Sequence, residues 1–153
     1  MSNKIENVLK IGKGIHERYI GTVTTDILKE ITQVFTAEPN SKNNCHEVEE
    51  LEGVGGYQRR ATPARQNKFA EYLKKNPDKY VVPAVFLNGR GKWKFNPYNP
   101  DKNNNFGYIE ITDRANIMDG QHRCGGFIRL FDKSAIQRDC EFVVYKNIPL
   151  EDE

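Results

Sequence analysis

The feature that most restricts the fold is an apolar segment followed at once by an amphipathic helix. Residues 115–118 have the composition of a buried strand. Beyond them, four apolar side chains recur at the spacing of one helix face: Cys124, Phe127, Ile128 and Phe131. Residues 119–123 must therefore form a tight strand-to-helix junction. A sheet packed against a helix is the minimum that this part of the chain requires.

Further strands are predicted where β-branched and aromatic residues cluster or alternate: residues 19–23, 80–87, 92–95, 106–111 and 140–145. Pro83 interrupts the second of these and predicts a sheet edge or a bulge. Asn88-Gly89 predicts a turn that returns the chain into residues 92–95. Residues 96–105, rich in asparagine and proline, are typical of a surface loop.

Two further helices are predicted upstream. The first has N-cap chemistry at residues 24–26, and its apolar face comprises Ile27, Leu28, Ile31, Val34 and Phe35. The second opens at Thr62-Pro63 and ends before Pro77, which suits proline at a first helical position. Its buried side is predicted to hold Phe69, Tyr72 and Leu73. Irregular alternation of these elements predicts an α+β fold with a small mixed β-sheet flanked by helices.

The chain of 153 residues is expected to form one domain over residues 1–153. It has no apolar stretch long enough to cross a bilayer and no signal-peptide core, so a cytoplasmic location is expected. The three cysteines, Cys45, Cys124 and Cys140, have no CxxC spacing, and no metal site is predicted. The formal net charge of +2 gives no bulk indication of nucleic-acid binding.

Chemistry is expected at the junction DGQHR, residues 119–123. The amino end of a helix attracts anions through its backbone N–H groups and its dipole. Gly120 permits the tight turn, Asp119 can cap the helix or orient His122, and Arg123 can hold a phosphate with two hydrogen bonds. The alternative is a capped helix in which Arg123 pairs with a nearby carboxylate.

Gly125 and Gly126 follow after Cys124, and both disfavour a helix, because each glycine costs about 0.5–1 kcal/mol relative to alanine. Their simplest use is the close approach of another backbone or of a ligand, and the sequence leaves both open.

The segment IMDGQHRCGGF, residues 117–127, resembles the defining motif of DGQHR-domain proteins. The best-known members of that family are the DndB regulators of bacterial DNA sulfur modification (phosphorothioation). Residues 56–87 resemble the family's N-terminal pattern, and the likeness extends over residues 19–145. It implies a fold related to ParB and sulfiredoxin, with residues 1–153 as the N-terminal part of a longer family architecture.

By position, the resemblance implies a phosphate- or nucleotide-binding turn of Gly120, Gln121, His122 and Arg123, shaped by Asp119. The expected DNA-binding residues upstream are Gln58, Arg59, Arg60, Arg65 and Lys68. The leading expectation is a DNA-binding, regulatory module of DNA modification or defence, with other DNA-modification proteins as partners. Gln121 stands where sulfiredoxins carry their reactive cysteine, so sulfinic-acid reduction is not expected.

Two other functions stay open. In an enzyme that hydrolyses a nucleotide or transfers its phosphoryl group, His122 or Asp119 would act as base or water-orienting group, with ATP or another nucleotide and Mg²⁺ as cofactors. In a protein-interaction domain, Trp93, Phe95 and Tyr98 would form the contact surface, unless they pack on the core as a hairpin.

Overall fold

The computed structural model describes residues 3–33 and 63–149. Within these ranges the strands are β1 Asn3–Ile11, β2 Arg18–Thr24, β3 Thr32–Gln33, β4 Val85–Asn88, β5 Trp93–Asn99, β6 Asn103–Ile111, β7 Ala115–Asp119 and β8 Asp139–Tyr145. The helices are α1 Thr25–Ile31, α2 Pro63–Lys75 and α3 Gln121–Ser134. The predicted α+β class is confirmed. None of these helices is long and apolar enough to cross a membrane.

All eight strands belong to one mixed sheet in the order β3-β7-β4-β8-β2-β1-β6-β5, which is larger than the small sheet that was predicted. The pairs β3–β7 and β4–β8 are parallel, and the other neighbours are antiparallel. Strand β4 lies inside the sheet, so its start and β7's end meet where Phe86 pairs with Asp119. This pairing places the junction at one end of β4.

The sheet curls so that its β5 edge folds back over β2 and β8. Tyr19 of β2 stacks on Phe95 of β5 with ring centroids 5.4 Å apart, although β1 and β6 lie between these strands in the sheet order. Trp93 of β5 meets Phe142 of β8 edge to face, with ring centroids 6.0 Å apart. The inward faces of five strands thus enclose a half-barrel filled by apolar side chains.

The two adjacent glycines of α3 serve the packing of α2 on α3. A Cβ atom added to Gly125 would lie 2.4 Å from Nε2 of Gln66, and one added to Gly126 would lie 2.4 Å from Cδ2 of Phe69. The close neighbours are therefore side chains of a second helix. Neither a backbone nor a ligand is needed to explain these glycines, which corrects both expectations for them.

We expect Gly126→Ala to lower the free energy of unfolding by about 1–2 kcal/mol. The added methyl group would also approach Cβ of Phe69 to 3.0 Å, so rotating the ring cannot fully relieve the contact. Overpacking costs about 1–3 kcal/mol, and the gain in helix propensity offsets about 0.5–1 kcal/mol of it. Urea denaturation measures the change. Ser134→Ala, exposed on the same helix, is the control, and equal stability of Gly126→Ala and wild type would contradict this packing.

The strand pairing around Asn88-Gly89 differs from the prediction. Strand β5 does not return along β4 but pairs with β6 at the far edge of the sheet. Residues 96–105 are mostly strand, because β5 extends to Asn99 and only residues 100–102 turn before β6. Residues 80–84 precede β4 without strand pairing, and Pro83 marks neither a strand edge nor a bulge; the irregular register lies between Phe86 and Leu87.

The first predicted helix is also shorter than its apolar pattern. Helix α1 ends at Ile31, because Thr32 and Gln33 extend and pair with Ala115 and Asn116 of β7. Thr24 is the N-cap residue, but its hydroxyl bonds the carboxylate of Asp26 and no backbone N–H group. Residues 34–62 lie outside the described residues, and Val34, Phe35 and Thr62 with them.

Helix α2 begins at Pro63 and ends before Pro77, as predicted. Its buried side differs from the prediction: Leu73 is buried and Phe69 partly so, but Tyr72 is exposed and Gln66 and Ala70 are buried instead. The deep position of Gln66 follows from its contact with Gly125, which an apolar-face count cannot reveal.

Candidate functional site

The DGQHR junction is built by the end of β7 and the start of α3. Gly120 adopts φ 97° and ψ 24°, a left-handed conformation that turns the strand into the helix. Its carbonyl oxygen accepts the N–H group of Cys124 at 2.8 Å, which is the first hydrogen bond of α3. The positive end of the helix dipole thus lies at residues 121–123, as the sequence predicted.

Arg123 is anchored by one edge of its guanidinium group. Its Nη2 donates to the carbonyl oxygen of Ala84 at 3.1 Å and lies 3.8 Å from Oδ2 of Asp119. Its Nε is buried and has no hydrogen-bond partner among residues 3–33 and 63–149, although 24% of the side chain remains exposed. The expected alternative, pairing of Arg123 with a nearby carboxylate, is therefore present, but 3.8 Å is a loose ion pair.

Asp119 precedes Gly120 and His122 follows it, and the side chains of these two residues differ in exposure. The Asp119 side chain is 73% exposed, and His122 is partly buried. The N-cap residue of α3 is Gly120, which has no side-chain cap, and the ion-pair partner of Asp119 is Arg123. Gln121 is buried at the start of the helix. The catalytic roles of Asp119 and His122 stay a prediction.

Of the residues that were expected to bind DNA, the two that the structure describes lie on α2. Arg65 and Lys68 are both exposed. Gln66, next to Arg65, packs on Gly125, so the first turn of α2 adjoins the first turns of α3. Gln58, Arg59 and Arg60 lie outside the described residues.

Sequence reasoning missed two groups that shape the site. One is the backbone carbonyl of Ala84, which holds Arg123 and has no signature in a sequence. The other is Gln66, whose Oε1 accepts from Nε of Arg129 at 2.6 Å and so ties α2 to α3. The sequence did offer a signal for this contact. It was a glutamine at an otherwise apolar position of one helix, together with a Gly-Gly pair in another helix.

The cysteines of the described ranges are structural. Cys124 and Cys140 are both buried as free thiols, and burial raises the pKa of Cys140 far above its usual range. Cys124 Sγ lies 3.7 Å from Oγ1 of Thr32 in the core. Within residues 3–33 and 63–149 no three His, Cys, Asp or Glu side chains cluster as metal ligands would.

The aromatic residues considered as an interaction surface divide into two groups. Trp93 is buried and donates its indole N–H group to the carbonyl oxygen of Asp113 at 3.0 Å, and Phe95 is partly buried on Tyr19. Both pack in the core as the alternative expected, but their strand β5 pairs with β6 and forms no hairpin with β4. Tyr98 is exposed beside Phe106 and Tyr108, on the outer side of the curl.

Together these features define an α+β protein built on a curled mixed sheet, with a candidate anion-facing turn between β7 and α3. The family model described as DndB, DNA-sulfur modification-associated, matches residues 7–149. Since the match covers nearly the whole chain, this protein belongs to the DndB family, which has a role in DNA sulfur modification. Searches of curated proteins and of solved structures found no match. The resemblance drawn from the motif is confirmed, and the relation to ParB and sulfiredoxin stays a prediction.

Proposed function

We propose that this protein is a DNA-binding, regulatory module of DNA sulfur modification, and that residues 119–123 bind a phosphate. The phosphate belongs to the DNA backbone or to a bound nucleotide. The family supplies the link to modified DNA, and the observation that carries the phosphate site is the position of Arg123. Its guanidinium group lies at the positive end of α3, is held at Nη2 by the carbonyl oxygen of Ala84, and is part of a side chain that remains 24% exposed.

An anchored arginine suits phosphate recognition for two reasons. The hydrogen bond to Ala84 fixes the plane of the guanidinium group, so little side-chain entropy is lost when an anion binds. The loose contact with the exposed Asp119 carboxylate can be exchanged for a phosphate oxygen, because exposed ion pairs contribute only about 0–1 kcal/mol.

The neighbouring helix extends the positive surface. Arg65 and Lys68 are exposed on α2, and the contact between Gln66 and Gly125 keeps that helix beside the turn. A DNA backbone that lies along α2 would meet these side chains and the turn together. Contacts of this kind position the protein on DNA and carry little sequence information.

We expect Arg123→Ala to weaken binding to a labelled DNA duplex about tenfold, because a hydrogen bond to a charged group is worth about 1.5–3 kcal/mol. Fluorescence anisotropy over a salt series measures this affinity. The slope of log K against log salt should fall by about 1 for the lost phosphate contact. Arg123→Lys keeps the charge but loses the planar fork, so intermediate binding is expected.

Arg114→Ala is the matched control, because Arg114 is exposed at the opposite end of β7 from the turn. This variant removes the same charge and should leave the affinity for DNA within about twofold of wild type, because an exposed surface charge away from the contact contributes little to binding. Thermal unfolding of each variant separates lost binding from lost folding. Binding by folded Arg123→Ala that equals wild type in affinity and salt slope would refute the phosphate site.

Adding ATP and Mg²⁺ separates the two sources of phosphate. A nucleotide in the turn should compete with DNA or shift its affinity in wild type and do neither in Arg123→Ala. Phosphate release measured in the same samples tests hydrolysis by His122 or Asp119. With no release from wild type, the enzymatic roles of both residues would be withdrawn, and the regulatory proposal would stand.

A further inference from the structure

A cavity lies at the open end of the half-barrel, at the opposite end of β4 and β8 from the DGQHR turn. β4 begins beside Asp119 and ends where Asn88 pairs with Tyr145. Beyond Tyr145, the N–H group of Gly91 bonds the carbonyl oxygen of Lys146 at 2.7 Å. The N–H group of Lys146 bonds the carbonyl oxygen of Glu17 at 3.0 Å. Three loops are thus tied together around a cavity of about 550 Å³, which we call the mouth.

The mouth carries an excess of positive charge. Lys10, Lys94 and Lys146 are among its lining residues, and Glu17 is the one residue of the lining with a carboxylate. Glu17 lies 4.0 Å from Lys10 and 3.7 Å from Lys146, and it also accepts the hydroxyl of Tyr19. Lys94 lies on β5 between Trp93 and Phe95, whose side chains face the inside of the curl, and opposite Glu110 of β6, so its side chain lies on the outer face. Lys10 and Lys146 against one carboxylate, itself partly engaged by a tyrosine, leave about one positive charge for a ligand to neutralise.

The wall beside the lysines is flat and apolar. Phe95 stacks on Tyr19 at an interplanar angle of 10°, and Trp93 and Pro97 continue the same lining. Aromatic faces stack well on planar rings. Small-molecule sites are often found in the mouths of β-barrels, with volumes of about 300–1,000 Å³.

We propose that the mouth binds a phosphate group carried on a planar ring compound, of the class of a nucleoside monophosphate. The phosphate lies between Lys10 and Lys146, displacing both from Glu17, and the ring packs on Phe95 and Pro97. This site is independent of the DGQHR turn.

The test is a titration of the full chain with deoxyadenosine monophosphate. Calorimetry measures the affinity, and NMR of the backbone amides shows where the ligand binds. Saturable binding should shift the amides of Gly91 and Trp93 and leave that of Gly120 in place. Lys146→Ala and Lys10→Ala should each weaken binding about tenfold, since each removes a charge-assisted hydrogen bond. Deoxyadenosine and inorganic phosphate, each carrying half of the ligand, should bind about tenfold more weakly or worse.

Glu17→Gln tests whether the lysines serve a ligand or merely close the loops. The variant keeps an acceptor for Tyr19 but removes the competing charge, so binding should tighten about threefold or more. Unchanged or weaker binding by folded Glu17→Gln would overturn the proposal. Lys79→Ala is the charge-matched control, since Lys79 is exposed in a turn after α2, outside the mouth lining.

Three further results would overturn the proposal: no saturable binding by wild type, an equal loss in Lys79→Ala, or inorganic phosphate binding as tightly as the nucleotide. Binding abolished by Arg123→Ala and untouched by Lys146→Ala would instead place the nucleotide at the DGQHR turn. The failure of this proposal is thus distinguishable from failure of the DNA-phosphate site, which rests on Arg123.

Discussion

Phe142→Ala is expected to lower the free energy of unfolding by about 3–5 kcal/mol. Phe142 lies fully buried on β8, an inner strand of the sheet, and its ring meets the edge of Trp93 across the half-barrel. Gly21 leaves room for the ring: a Cβ added there would lie 2.9 Å from Cζ of Phe142. Truncation removes the group that joins both sides of the curl, and a domain of this size is stabilised by only about 5–15 kcal/mol.

Phe106→Ala is the matched control, because Phe106 lies on the same sheet but is 40% exposed on its outer side. The chemical change is identical, and its expected cost is about 1 kcal/mol or less, because little area is removed from contact with the protein. Urea denaturation of both variants gives the comparison. Equal costs would show that the half-barrel is not closed by Phe142 and Trp93.

Gly120→Ala is expected to cost about 2–3 kcal/mol and to weaken DNA binding as well. The φ of Gly120 is 97°, whereas the non-glycine residues with positive φ in the described ranges, Asn7, Arg90 and Ala135, stay between 55° and 60°. A Cβ at Gly120 would also lie 2.8 Å from Nη2 of Arg123 and 3.1 Å from Cγ1 of Val85. The methyl group would therefore push Arg123 away from the carbonyl oxygen of Ala84.

Gly14→Ala separates backbone strain from this collision. Gly14 has φ 61°, and a Cβ added there would meet no atom within 4 Å. Its cost should be that of a left-handed alanine, about 1 kcal/mol, with DNA affinity unchanged. Thermal unfolding and the anisotropy titration measure both quantities. If Gly120→Ala matched Gly14→Ala in stability and in DNA affinity, the close packing of Gly120 against Arg123 and Val85 would be contradicted.

The two proposed anion sites lie at opposite ends of the same inner strands. The DGQHR turn adjoins the start of β4 and the mouth adjoins its end. A ligand in the mouth would contact the loops that follow β4 and β8, and DNA would contact α2 and the turn. Repeating the DNA titration with saturating deoxyadenosine monophosphate shows whether the two sites influence each other, because coupling would change the affinity for DNA.

The elements predicted well from sequence are those whose signal is local. The strand ending at Asp119, the turn at Gly120 and helix α3 follow from one apolar run, one helical period and one glycine. Helix α2 begins at Pro63 because proline suits that position, and β8 has enough β-branched and aromatic residues to be recognised alone. The motif identified the family from the same short segment.

The elements missed or misplaced depend on partners far away in the chain. The sequence of β1, NKIENVLKI, has no clean alternation, because the register with β6 shifts between Ile5 and Val8. The turn signal at Asn88-Gly89 is real, but β8 and β7 already occupy both edges of β4, so β5 pairs with β6 instead. Helix α1 likewise ends before Thr32 because of a distant partner: β7 supplies the backbone hydrogen bonds that hold Thr32 in a strand.

The sequence by itself therefore determined the fold class, the strand-to-helix junction and the family of this protein. Tertiary structure decided the order of the strands, the curl of the sheet, the anchoring of Arg123 on Ala84 and the meeting of Lys10 and Lys146 at Glu17. The physical reason is that hydrophobic period and turn chemistry act over a few neighbouring residues. Strand pairing, a carbonyl's position and the meeting of distant charges depend on where the whole chain runs.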